Sequence, residues 1–237
     1  MNGIYALLDV GGCVAPRDAL AVFDLLVEGG IQTIQIRGKT LLDRDLFDVA
    51  RGIIERRPPN VRVLVNDRAD IAKLAGADGV HVGQSDLSPT DLRPWCPSPF
   101  IIGLSCHTLD DAVRAHASSV ESNLVDYIGF GPVFETSTKA RPSPTVGLAK
   151  LREVVERVHP LPVVAIGGIT VERIPAVWET GAAAIAMASG LTSFTTPTTD
   201  PPGPEAKAES IRSRIRRATE SIQSSARSTA EGITALR

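Results

Sequence analysis

The chain has 237 residues, 43% of them hydrophobic and 22% charged, with a net charge of −2. That is enough to bury one substantial core, as a single barrel or as two small domains. The slightly acidic balance excludes a polyanion-binding surface, so nucleic acid is not an expected partner, and no apolar run approaches the roughly 20 residues of a bilayer span, so a membrane is not one either.

Short Val- and Ile-rich runs recur along the chain: IYALLD (4–9), IQI (34–36), VRVLVN (61–66), GVHV (79–82), FIIGLS (100–105), YIGFG (127–131), PVVAIGG (162–168) and AAIAMAS (183–189). Most are too continuous for half-exposed strands, as expected of a parallel sheet covered on both faces. The first follows an N-terminus without the basic start of a signal peptide, which reads as a cytoplasmic protein. Helical patterns lie between. Pro16 suits a first helical position, Ala19, Val22, Phe23, Leu26 and Val27 share a face, and Gly29–Gly30 stops the helix. Ser88–Pro89 starts another helix, and Thr108 with Asp111 resembles a capping box. Leu148, Leu151, Val155 and Val158 form a stripe before the seventh run.

Strand–helix alternation of this kind gives a parallel sheet. Eight units in about 190 residues favour a single-domain α/β fold, the closed (β/α)8 TIM barrel, over an open doubly wound sheet. The expected organisation is a barrel core over 1–192, a Pro/Thr linker over 193–204, a helix over 205–224 that completes the barrel, and a disordered tail over 225–237. The basic cluster Arg212, Arg214, Arg216 and Arg217 reads as that helix's solvated face. Cys13, Cys96 and Cys106 are odd in number and widely spaced, so no disulfide framework is expected.

In such a barrel the chemistry sits at the carboxyl ends of the strands. Those ends carry Gln35, Arg37 and Lys39, then Asn66 and Asp67, Gln84 and Asp86, Ser105 and His107. The sixth strand opens into Thr136, Ser137, Thr138 and Lys139, and the last two end in Gly167–Gly168 and Ala188–Ser189. The glycine pair at strand seven lets backbone N–H groups approach a phosphate, beside a helix start; a tight turn would also use it. Asp67 and Asp86 together can hold one Mg2+, although Asp67 alone would serve as a helix N-cap. Arg37, Lys39 and Lys139 converging on one mouth suggest a polyanionic substrate. Gln35 and Asn66 either read a heterocycle edge or orient charged neighbours. His107 reads as a helix-start histidine making local hydrogen bonds. Two anionic subsites suggest the joining or splitting of two phosphorylated molecules.

The motifs QIRGK (35–39), VNDRAD (65–70), ADGVHVGQSDL (77–87), IIGLSCHT (101–108), DYIGFGPVFETSTK (126–139), VGL (146–148), VVAIGGIT (163–170) and GAAAIAMAS (181–189) together resemble the thiamine-phosphate synthase family. The resemblance implies that Gln35, Arg37, Lys39, Asn66, Ser105 and Lys139 contact an aminopyrimidine diphosphate, with Lys139, Arg37 and Ser105 catalytic. It implies Asp67 and Asp86 as Mg2+ ligands, and Thr136, Ser137, Thr138, Gly168, Ala188 and Ser189 as receivers of the thiazole phosphate. The chain departs from the family at Gly38, usually an acid, and at Ser137, usually a proline. The expected partners are small phosphorylated molecules, and a homo-oligomer is compatible with this reading. Two rival functions are a thiazole tautomerase of the same superfamily and a non-catalytic phosphate-ligand sensor. The Asp pair and the density of cations weigh against the first, and the complete set of charged residues against the second.

Overall fold

The computed structural model describes residues 3–136, 144–192 and 203–235. Ser137, Thr138, Lys139 and most of the expected linker lie outside the described residues. All eight apolar runs form strands: β1 (Gly3–Asp9), β2 (Thr33–Arg37), β3 (Arg62–Asn66), β4 (Gly79–Val82), β5 (Ile101–Cys106), β6 (Tyr127–Phe130), β7 (Val163–Ile166) and β8 (Ala184–Met187). Each pairs in parallel with the next and β8 returns to β1, closing the barrel in sequence order. The fold is a (β/α)8 TIM barrel.

The register explains the continuous hydrophobicity. Leu7 lies opposite Gln35, Gln35 opposite Leu64, Asn66 opposite His81, Gly103 opposite Tyr127, and Ile166 opposite Ala186. These positions point into the barrel, while their strand neighbours face the helices. Two apolar layers result. An inner one contains Tyr5, Leu7, Leu64, Tyr127, Val164, Ala184 and Ala186, and a larger outer one lies between strands and helices. Polar residues on the inner face therefore collect toward the carboxyl ends.

The outer ring contains α1 (Ala19–Glu28), α2 (Asp43–Arg56), α3 (Ala69–Ala75), α4 (Pro89–Leu92), α5 (Leu109–Ser122), α6 (Gly147–Arg157), α7 (Ile174–Trp178), α8 (Ser189–Thr192) and α9 (Pro204–Ala235). Thr108 and Asp111 make the complete capping box of α5, and Ser88 accepts from the Asp91 N–H at the start of α4. Pro16 opens a short 3-10 turn ahead of α1 rather than α1 itself. Gly30, at φ +83, provides the left-handed residue that ends α1.

The ring closes through α9, which packs against α1, α7 and β1. It buries Ile211, Ile215, Ala218 and Ile222, and each isoleucine contributes about 2 kcal/mol by leaving water. Arg217 reaches Glu172 and Arg212 reaches Glu28, so two members of the basic cluster bridge to neighbouring elements. The backbone of α9 stays helical to Ala235, where a helix ending at 224 and a disordered tail were expected. No proline interrupts 225–235, and one interior glycine weakens a helix without ending it. No helix among the described residues is long and apolar enough to cross a membrane.

Candidate active site

A cavity of about 760 Å³ opens at the carboxyl end of the barrel. Gln35, Arg37, Lys39, Asn66, Asp67, Asp86 and Ser105 all line it, as do Gln84 and His107. Seven side chains from four strand ends thus meet in one space.

Asp67 has φ +62, a left-handed conformation that Asp and Asn enter more readily than other side-chain-bearing residues. Its backbone N–H donates to the His81 carbonyl at 2.8 Å, fixing the turn between β3 and α3. Arg68, not Asp67, stands at the N-cap of α3, and no side chain caps that helix. The Asp67 carboxylate instead receives the Lys39 ammonium at 3.1 Å. Asp86 accepts from the Gly83 N–H at 2.7 Å. Burial pushes the Asp86 carboxyl above its ordinary value, the Gly83 bond opposes this, and the adjacent Asp67 raises it further.

Two carboxylates in mutual reach form a hard-oxygen donor pair suited to Mg2+. Among the described residues no group of three or more His, Cys, Asp or Glu could enclose a metal alone. An ion here would complete its shell with water or substrate oxygens. The pair fits that role.

Arg37 is also paired, donating to Asp9 at 2.5 Å. Arg37 and Lys39 converge on the mouth as expected, each resting on a carboxylate, and Lys139 lies outside the described residues. For Arg37, largely removed from water beside the buried Asp9, an unpaired charge would be costly; the Lys39 side chain stays 54% exposed, so its pairing is a surface contact.

At the other side of the mouth, Gly167 and Gly168 have φ +105 and +61. A Cβ on Gly168 would fall 2.2 Å from the Glu135 carbonyl oxygen, so the glycine admits the backbone leading to Thr136. Phe134 donates its N–H to the Gly167 carbonyl at 3.0 Å, and the Arg173 guanidinium stacks on the Phe134 ring at 4.4 Å. Ala188 and Ser189 sit at the neighbouring end of β8, where α8 begins. This group is contiguous but does not line the cavity shared by the other seven.

The family model described as thiamine monophosphate synthase matches residues 4–191, the barrel just described. The chain belongs to this family. It is 38% identical over 192 residues to the thiamine-phosphate synthase of Koribacter versatilis, covering 79% of this chain and 88% of that one. It is 43% identical over 171 residues to the thiamine-phosphate synthase of Methanocella arvoryzae, covering 70% and 76%. A solved thiamine phosphate pyrophosphorylase from Pyrococcus furiosus superposes with a TM-score of 0.76 at 26% identity, over 94% of this chain and 96% of that one. The family match stops at α8, so α9 lies beyond it.

Several site residues were not singled out from the sequence. Asp9 closes β1 opposite Arg37, and an acid ending a buried strand was a signal available to the eye. Tyr5, His81 and Tyr127 line the cavity floor. Gln35 Nε2 donates to the Tyr5 hydroxyl at 2.8 Å, and the Tyr5 and Tyr127 hydroxyls meet at 2.8 Å. His81 bridges Tyr127 through Nδ1 at 2.8 Å and Ser105 through Nε2 at 2.9 Å. The His107 Nδ1 lies 2.6 Å from the Gly131 carbonyl oxygen, the local bond expected of it.

Proposed function

We propose that the chain joins 4-amino-2-methyl-5-(diphosphooxymethyl)pyrimidine to a thiazole phosphate or its carboxylated form, releasing thiamine phosphate and pyrophosphate. The observation that carries this reading is the Asp67–Asp86 pair, with Lys39 on it, in one cavity with Gln35, Arg37 and Ser105. A tautomerase or a phosphate-ligand sensor would have no use for that pair. Small phosphorylated substrates also suit a cytoplasmic enzyme.

In the proposed reaction the bond between the pyrimidine methylene carbon and the diphosphate oxygen breaks, and its electron pair leaves with pyrophosphate. The 4-amino group delocalises the cation left on the pyrimidine. The thiazole nitrogen then donates its lone pair to form the new C–N bond. A carboxylated thiazole would also lose carbon dioxide. No protein nucleophile takes part, because the thiazole nitrogen attacks the delocalised cation directly.

Each residue has a definite task. Arg37 and Lys39 face the charge that grows on the departing diphosphate, and Lys139 would join them. Asp67 and Asp86 would hold Mg2+, which supplies charge neutralisation to the diphosphate oxygens. Gln35, Asn66 and Ser105 orient the pyrimidine. Thr136, Ser137, Thr138, Gly168, Ala188 and Ser189 would receive the thiazole phosphate. Water must be excluded while the cation lives, a task this reading gives to the segment that follows β6.

Incubation of the protein with both substrates and Mg2+ should yield thiamine phosphate by mass spectrometry, with matching pyrophosphate release. Absence of both products would overturn the reading.

A further inference from the structure

Gln35 on β2 and Ser105 on β5 are joined by an unbroken chain of hydrogen bonds through Tyr5, Tyr127 and His81, with every step between 2.8 and 2.9 Å. Space for it is built into the strands. A Cβ on Gly103 would lie 2.1 Å from the Tyr127 Cζ, and one on Gly129 would lie 3.0 Å from the His81 Cε1. Both tyrosines are fully buried and keep their protons, since burial pushes Tyr5 up to about 12 and Tyr127 well above its ordinary value.

The direction of the chain follows from counting protons. A phenol has one proton to give, and neutral imidazole has one N–H. Tyr5 receives the Gln35 amide N–H, so its own proton goes to the Tyr127 oxygen. Tyr127 in turn gives its proton to His81 Nδ1. His81 must then carry its proton on Nε2 and donate to Ser105 Oγ. The Ser105 proton is left for the cavity. Running the chain the other way would strand the Tyr5 proton against an amide N–H in a buried space.

We propose that Tyr5, Tyr127 and His81 are positioning residues that set the donor–acceptor pattern of the cavity. They hold Gln35 so that its Oε1 accepts, and Ser105 so that its hydroxyl donates. Such a pattern selects an N-heterocycle bearing an exocyclic amino group and an unprotonated ring nitrogen or nearby anionic oxygen. It rejects the oxo counterpart, whose oxygen would face the Gln35 oxygen. The inference rests on the reading of this cavity as the pyrimidine site.

Two measurements test it. Long-range 1H–15N spectra of the ligand-free protein, with His81 assigned by comparison with His81→Gln, should show the neutral Nε2–H tautomer. An Nδ1–H tautomer or an imidazolium would overturn the proposal. Calorimetry should then give the ratio of Kd values for the 4-oxo and 4-amino pyrimidine diphosphates in Mg2+. Tyr127→Phe, which removes one hydroxyl, should lower that ratio at least tenfold while leaving thiazole phosphate affinity unchanged. A ratio that stays constant, whatever happens to overall affinity, would overturn it as well. Intact discrimination without turnover would instead sink the proposed reaction and leave the relay standing.

Discussion

Asp9 and Arg37 face each other in strand register at the mouth of the barrel, their side chains joined by a 2.5 Å hydrogen bond. Asp9 is 3% exposed, so it fixes the guanidinium from below and leaves the remaining N–H groups for the cavity. Asp9→Ala should cost about 2 kcal/mol of stability, less than a fully buried pair because the Arg37 side chain is 20% exposed. It should also lower kcat/KM at least tenfold, about 1.4 kcal/mol of transition-state stabilisation. Urea denaturation and steady-state kinetics check both, and Asp9→Asn should retain more of each.

Asp86 gives a pH-dependent signature. Burial and the neighbouring Asp67 raise its carboxyl, so the native state keeps the proton to higher pH than the unfolded chain. That contribution is complete below the unfolded value and is lost as pH climbs through the raised native one. Asp86→Asn has no proton to lose. The melting temperature of the metal-free variant should therefore gain on the wild type as pH rises from roughly 4 to 7. A gap that shrinks over this range would contradict the assignment.

Gly103 leaves room for a ring. A Cβ there would sit 2.1 Å from the Tyr127 Cζ, whereas the Gly129 equivalent meets His81 at 3.0 Å. Gly103→Ala should destabilise by about 3 kcal/mol through overpacking, and Gly129→Ala by less. Thermal denaturation gives the order, and equal losses would argue against the ring arrangement.

The cysteines should differ in reactivity. Burial raises all three thiols, and Cys106 reaches about 12. Only Cys13 is not fully buried. Iodoacetamide at pH 8 should label Cys13 slowly and spare Cys96 and Cys106 until the protein unfolds. Peptide mapping by mass spectrometry shows which site is modified.

Much of this architecture was legible in the residues because parallel strands covered on both faces leave continuous Val and Ile runs. The strand ends of such a fold are its reactive face, which is why Gln35, Asn66, Asp67, Asp86 and Ser105 group into one site on the amino-acid sequence alone. What stayed hidden depends on register. Tyr5, His81 and Tyr127 look like core residues in their own strands, and they form a relay only because three separate strands bring them within hydrogen-bond reach. The partners of Arg37 and Lys39 were concealed for the same reason. The length of α9 was missed because small residues fill 225–235 and Ile233 is the one large apolar residue there, whereas an absence of proline suffices to continue a helix.

The most direct test of the central claim is calorimetric titration of pyrophosphate with and without Mg2+. The account predicts that Mg2+ raises the affinity of the wild type at least tenfold and does nothing for Asp67→Asn/Asp86→Asn. An equal gain in both proteins, or no gain in the wild type, would contradict it.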